Sequence, residues 1–326
     1  MYIPFCVMEE GRVNMVKIDL ITGFLGSGKT TFLKQYAKKL LDQGNNIGIV
    51  ENDFGAVNVD MMLLQELSGD NCELEMIAGG CDYDCHKRRF KTKLIAMGMC
   101  GYDRVIVEPS GVFEVDEFFD ILHEEPLDRW YEIGNVITVV DAKLSKHLSK
   151  HAEYLLANQV AKAGKVIISH ADQASEEEID ATIDQLNHAL EIYDCSRRFT
   201  RDNILCVNLE KMWTDTINQI ENCGYVLEEH KKLWFEKEDV FQSLSFMNVH
   251  LSLEELKDRV ERMFADESCG DIFRVKGFMP TPKGGWYEIN ATREGVLLNP
   301  LPEGQEILIV IGENLIEERI ASYLKI

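Results

Sequence analysis

Basic residues are scarce in this chain of 326 residues: 34 lysines and arginines stand against 56 aspartates and glutamates, a net charge of −22. A surface this acidic repels phosphate backbones and anionic lipid, so it excludes nonspecific nucleic-acid binding and docking on a membrane surface. Long apolar runs are missing as well. Val136–Val140 and Ile307–Ile311 have strand length, far short of the roughly 20 residues that cross a bilayer. Near the start, Glu9, Glu10 and Arg12 interrupt any apolar stretch of a signal peptide. Only seven prolines occur, and with 45% hydrophobic and 28% charged residues extended disorder is excluded. The nine cysteines are odd in number and follow no repeating framework, which reads as reduced thiols in the cytoplasm.

What is present alternates. Val16–Thr22 is apolar and β-branched, a strand; Thr30–Leu41 then carries Phe32, Leu33, Tyr36, Ala37, Leu40 and Leu41 as a helical stripe, stopped by Gly44. Further strands are expected at Asn46–Asn52, Arg104–Glu108, Asn135–Asp141, Lys165–Ser169 and Ile204–Leu209. Most are near-continuous apolar runs, the mark of parallel strands covered on both faces. Ser175 with Glu178 forms a capping box that opens a helix running to about Tyr193. The alternation predicts an α/β fold with a doubly wound, mainly parallel sheet over residues 1–210. Residues 211–243 are charged and read as a helical connector. From 244 to 326 a strand comes first, and helices at Leu253–Phe264 and Leu315–Leu324 separate from clustered strands at Ile272–Pro280, Gly285–Asn290 and Glu306–Ile311, a small α+β domain.

Gly23-Phe-Leu-Gly26-Ser27-Gly28-Lys29-Thr30 matches G-x-x-x-x-G-K-[ST] between a strand and a helix. Glycines there let backbone N–H groups turn onto phosphates, and the helix N-terminus adds partial positive charge. Lys29 is expected on the β- and γ-phosphates and the Thr30 hydroxyl on Mg²⁺, with Thr31 completing the turn. Val105–Gly111 is an apolar strand ending in Glu108, with Gly111 three residues on. Glu108 is placed in the Mg²⁺ shell or on the attacking water, and the Gly111 N–H at the γ-phosphate. Glu51 and Asp53 close the second strand at the same sheet edge, as further Mg²⁺ candidates. Ser169-His170-Ala-Asp172 occupies the place of the Asn-Lys-x-Asp that reads guanine in GTPases. A carboxylate accepts from guanine N1–H and its 2-amino group, whereas adenine offers an acceptor at N1, so Asp172 favours GTP with ATP as the alternative.

Together these motifs resemble the CobW family of GTPases, relatives of the HypB and UreG nickel-insertion proteins. The resemblance rests on Ile21–Thr31, Glu51–Gly55, Gly79-Gly80-Cys81, Glu108–Gly111 and Val139–Ala142, and in the second domain on Arg274–Phe278 and Ile311–Leu315. It implies a GTP-driven metallochaperone or metal-insertion protein that hydrolyses GTP slowly, with corrinoid cobalt, zinc or iron as cargo. A metalloenzyme or corrinoid-protein client follows, and a nucleotide-dependent homodimer is compatible with it. The family's Gly-Cys-x-Cys-Cys departs here to Gly80-Cys81-Asp-Tyr-Asp84-Cys85-His86. Cys81 and Cys85, spaced i, i+4, would share a helix face as thiolates for Zn²⁺ or Co²⁺, with His86 or Glu51 as further ligands. Two other readings stay open: a small-molecule P-loop kinase, for which the basic run His86–Lys93 would be the lid, and a nucleotide switch that carries no metal. His147 and His151 share a helical face but lack the Glu of H-E-x-x-H and read as surface histidines.

Overall fold

A computed structural model describes residues 15–53, 63–78, 83–144, 148–209, 214–233, 241–249, 251–281, 284–293 and 295–325. Among them two compact units form, one from 15–53 and 63–233, the other from 241–325. The first holds strands β1 (Val16–Thr22), β2 (Ile47–Asp53), β3 (Cys72–Ala78), β4 (Arg104–Pro109), β5 (Tyr131–Asp141), β6 (Lys165–Ser169) and β7 (Ile204–Cys206). They make one seven-stranded sheet in the order β3-β2-β4-β1-β5-β6-β7, with every pair parallel. Its helices are α1 (Lys29–Asp42), α2 (Tyr83–Gly98), α3 (Val115–Leu122), α4 (Leu127–Trp130), α5 (Lys150–Ala161), α6 (Glu176–Ile192) and α7 (Thr214–Ile220).

The apolar strand runs bury both faces of this sheet. Along β4, Val105 and Val107 enter one core with Phe90 and Phe118, while Ile106 enters the other with Phe32 and Leu33 of α1. Side chains alternate across a strand, so a run without polar breaks needs cover on both sides. The capping box of α6 is made in full: Ser175 Oγ accepts from Glu178 N–H at 3.2 Å, and Glu178 Oε2 from Ser175 N–H at 2.8 Å.

Four local readings differ. The sequence pattern omitted β3 and, in the second unit, the strand at Gly295–Leu301. The strand expected at Ile204–Leu209 stops at Cys206, leaving Val207–Leu209 as a loop. Within the supposed connector, 214–233 belongs to the first unit, where Ile217 and Ile220 are buried in the core and Val136 N–H donates to Gly224 O at 2.9 Å.

The second unit is α+β. Strands β8 (Gln242–Phe246), β9 (Asp271–Pro280), β10 (Trp286–Thr292), β11 (Gly295–Leu301) and β12 (Ile307–Glu313) form an antiparallel sheet in the order β11-β10-β9-β12-β8. Helices α8 (Leu253–Ala265) and α9 (Glu317–Leu324) complete its core, Leu256, Val260 and Ile320 packing with Val275 and Val310. Among the described residues no helix is long and apolar enough to cross a membrane.

Candidate nucleotide-binding site

The central strand β1 has β4 on one side and β5 on the other, and the loop that leaves it crosses to α1. Gly26 and Gly28 hold φ of 79° and 89°, a left-handed backbone that strains any residue with a Cβ. At Gly23, φ 142°, a Cβ would lie 2.0 Å from Val139 O of β5. The loop is thus drawn tight against the sheet, and its backbone can face an anion. Lys29 Nζ donates back to Gly23 O at 3.0 Å and Phe24 O at 3.3 Å, which holds the ammonium over the loop. Thr31 lies exposed on the first turn of α1. Ser27 Oγ and Thr22 Oγ1 are buried polar atoms with no hydrogen-bond partner among the described residues. Buried hydroxyls without partners beside a glycine cradle fit a phosphate with its bound cation.

Hard oxygen donors gather beside this loop. Thr30 Oγ1 donates to Glu108 Oε1 at 2.8 Å. Glu51 and Glu108 are register partners on β2 and β4, and each is 3% exposed. Two buried carboxylates side by side, with a hydroxyl on one of them, are a donor set suited to Mg²⁺. Asp53 ends β2, and its side chain lies outside the described residues. Gly111 closes on the phosphate loop, where an added Cβ would meet Leu25 N at 2.7 Å and Leu25 Cα at 2.9 Å.

Two residues of α5 escaped the sequence reading. Gln159 Nε2 donates to Gly111 O at 3.0 Å and Phe113 O at 3.4 Å, and Asn158 Oδ1 accepts from Val115 N–H at 2.6 Å. Both are 0% exposed. An Asn-Gln pair inside an otherwise apolar helical stretch was the available signal, since buried amides need partners.

The residues expected at the base divide. Ser169 is buried, and its Oγ donates to Ser27 O at 2.7 Å and Val140 O at 3.2 Å. It braces the phosphate loop and is not directed at a base. His170, with φ 52°, pairs through Nδ1 with Asp141 Oδ2 at 2.9 Å. Asp172 is exposed on a short turn and accepts from Asn208 Nδ2 at 2.6 Å.

Among the described residues the transition-metal candidates Cys85, His86 and Glu51 are not gathered into a metal site. Cys81 lies outside the described residues, as does His147. α2 begins at Tyr83, so Cys85 and His86 sit in a regular helix about 100° apart. Cys85 lines a groove with Met76, Arg88, Arg89 and Lys93, whereas His86 is 1% exposed. Among the described residues no three of His, Cys, Asp and Glu come together to hold a metal ion. In the basic run, Lys87 and Lys91 pair with Glu124 at 3.3 and 2.6 Å, and Lys93 pairs with Glu75 at 2.7 Å, as on an ion-paired helix face. The described cysteines are free thiols. His151 is half-buried, and burial pushes its imidazole down to about 4, so it is no ordinary surface histidine.

Among known proteins, residues 17–194 match the family model described as CobW/HypB/UreG, nucleotide-binding domain. Zinc chaperone YjiA of Escherichia coli is 27% identical over 194 residues, 56% of this chain and 58% of that protein, so the match spans little more than half of the relative. The zinc-regulated GTPase metalloprotein activator 1 of Schizosaccharomyces pombe is 21% identical over 358 residues, 95% of this chain and 85% of that protein. The crystal structure of Zn(II)-bound YjiA GTPase from E. coli aligns over 96% of this chain and 99% of that one, with a TM-score of 0.35 at 16% identity.

Proposed function

The chain belongs to the CobW/HypB/UreG family of nucleotide-binding proteins, and we propose that it hydrolyses GTP to gate delivery of a metal ion, zinc in the first instance, to a client metalloprotein in the cytoplasm. One observation carries the hydrolytic part: the Thr30–Glu108 bond at 2.8 Å, with Glu51 in register beside it, under a complete phosphate loop. Bound Mg²⁺ would neutralise phosphate charge there. The chain's own residues do the rest. Lys29 would balance the β- and γ-phosphates, and Thr30, Glu108 and Glu51 would hold the cation. Gly111, braced by Gln159, brings its N–H to the terminal phosphate. Asp172 selects guanine. No Gln or Arg finger stands out in the sequence, so unaided turnover is slow and a partner completes the site. The names of the relatives support a metal cargo, and Cys81 with Cys85 are the residues assigned to it.

The test joins turnover to metal content. Purified protein with GTP and Mg²⁺ should release inorganic phosphate and, when reduced, retain close to one equivalent of Zn²⁺ in a GTP-dependent manner. Phosphate passed to an added small-molecule acceptor would mark a kinase. GTP hydrolysis with no metal retained under any nucleotide would reduce the protein to a nucleotide switch, and retention unchanged by Cys81→Ser with Cys85→Ser would place the metal elsewhere than on these two cysteines.

A further inference from the structure

Asn208 belongs to no motif of the sequence, yet it touches the residue on which the guanine reading depends. Its Nδ2 donates to Asp172 Oδ2 at 2.6 Å. The chain on either side of it is fixed. Val207 N–H donates to Ile168 O at 2.9 Å, tying the loop to β6. Leu209 is buried and leans on the phosphate loop, where a Cβ on Gly28 would meet its Cδ1 at 2.8 Å. One dipeptide therefore grips the base-reading carboxylate with its first residue and the phosphate loop with its second.

Nothing else in the motif does this work. Ser169, where an Asn amide would stand in Asn-Lys-x-Asp, is committed to the main chain of Ser27 and Val140. His170 is held by Asp141. Asp172 is exposed on a three-residue turn, and an exposed carboxylate loses rotamer freedom when a ligand fixes it. A donor that holds it beforehand removes part of that cost, and an amide bonded to an ionised carboxylate is stronger than a neutral pair.

We propose that Asn208 is a specificity-determining positioning residue: it presents the Asp172 carboxylate to the two donors of guanine, N1–H and the 2-amino group. The inference rests on the guanine reading above. An amide suits the task because it is a neutral donor and leaves the remaining acceptor positions of the carboxylate to guanine. Adenine, with an acceptor at N1, draws nothing from it.

Calorimetric binding of GTP, ITP and ATP with Mg²⁺ to the parent, N208A and N208D tests this. ITP lacks the 2-amino group, so the ratio of GTP to ITP affinity reports the Asp172 contact apart from the phosphates. The parent should prefer GTP to both. In N208A, GTP affinity should fall about tenfold while ATP affinity stays within about twofold, and the GTP/ITP ratio should fall toward one. N208D keeps the side-chain volume but faces two carboxylates together. Its GTP preference should be lost as in N208A, because a second carboxylate repels Asp172 where the amide held it. A parent preference for GTP retained in both variants overturns the role of Asn208 and leaves the guanine reading standing. Equal loss of GTP and ATP in N208A also overturns it, because that pattern marks damage to the phosphate loop through Leu209. No GTP preference in the parent overturns the guanine reading, and the role of Asn208 with it.

Discussion

Thr30 donates its hydroxyl hydrogen to Glu108, 78 positions further along the chain, across 2.8 Å. The bond joins the first turn of α1 to the C-terminal end of β4, the two elements that the proposed cation site draws on. Glu108→Gln keeps an acceptor for Thr30 and nearly the same volume, but removes the charge. Mg²⁺-dependent GTP hydrolysis should fall at least about 100-fold. Nucleotide affinity measured in EDTA should change less than about threefold, because the phosphate loop is untouched. Phosphate release at the parent rate would remove Glu108 from the site.

Gly111 approaches the phosphate loop more closely than any side chain allows. A Cβ there would stand 2.7 Å from Leu25 N, and backbone does not give way as a flexible side chain does. Gly111→Ala should weaken GTP about tenfold or more and cost about 1–3 kcal/mol of stability through overpacking. Gly69→Ala is the control, because a Cβ at Gly69 meets nothing within 4 Å. Equal GTP affinity of the two variants in fluorescence titration would show that the loop position does not depend on this contact.

The readable parts of the sequence were the locally determined ones. A β-branched strand, a glycine loop and a helix with a clear stripe follow one another from Val16 to Asp42 within one local stretch of chain. The two strands that escaped, β3 and β11, are both sheet edges. β3 alternates Glu73 and Glu75 with apolar residues, and β11 carries Pro300, features that edge strands tolerate and that blur a strand pattern. In the site, the residues that would touch phosphate were legible because phosphate chemistry dictates glycine, lysine and threonine at fixed spacing. Gln159 and Asn208 were not, because they act on other residues: one meets Gly111 from a helix 48 residues on, the other meets Asp172 from 36 residues on. Such spacings carry no local signature. Ser169 was misplaced for the opposite reason, since its position in the motif hid the main-chain carbonyls that claim its hydroxyl.

Midway along β1 a buried polar cluster anchors the same elements. Tyr36 donates to Asp19 Oδ2 at 2.8 Å and accepts from Arg104 Nη1 and Asn135 Nδ2, each at 2.9 Å. Asp19 is fully buried and bonded to Arg104 at 2.6 Å. Burial pushes the Asp19 carboxyl up while the Arg104 charge pulls it back, with the balance above the ordinary value. Tyr36→Phe leaves two buried donors short of an acceptor and the carboxylate short of a donor. It should cost about 2–4 kcal/mol in urea unfolding. GTP affinity should stay within about threefold, because the cluster lies away from the strand ends. A cost below about 0.5 kcal/mol would mean that the cluster relaxes around the missing hydroxyl.

His151 sets an acid limit on stability. Burial pushes its imidazole from 6.5 down to about 4, and its place in the first turn of α5 also disfavours a positive charge. As pH falls below 6.5 the unfolded chain binds a proton there, while the folded chain does not until about 4. The unfolded state thus holds more protons across that window, and stability present above 6.5 is lost toward 4. Because the ring is only half-buried, the loss is discounted to about 1–2 kcal/mol. His230 moves in the same direction, lowered by burial and by Lys162 and Lys232 against the pull of Asp116. Asp116 is pushed up by burial but held low on balance by Lys162, His230 and Lys232, so its own loss begins only below 3.8, outside the window. His151→Gln removes the titrating group, so the difference in urea midpoint between about pH 7 and about pH 4.5 should shrink relative to the parent. A variant whose midpoint falls in parallel with the parent across that range would assign the acid sensitivity elsewhere, with His230→Gln as the next substitution to measure.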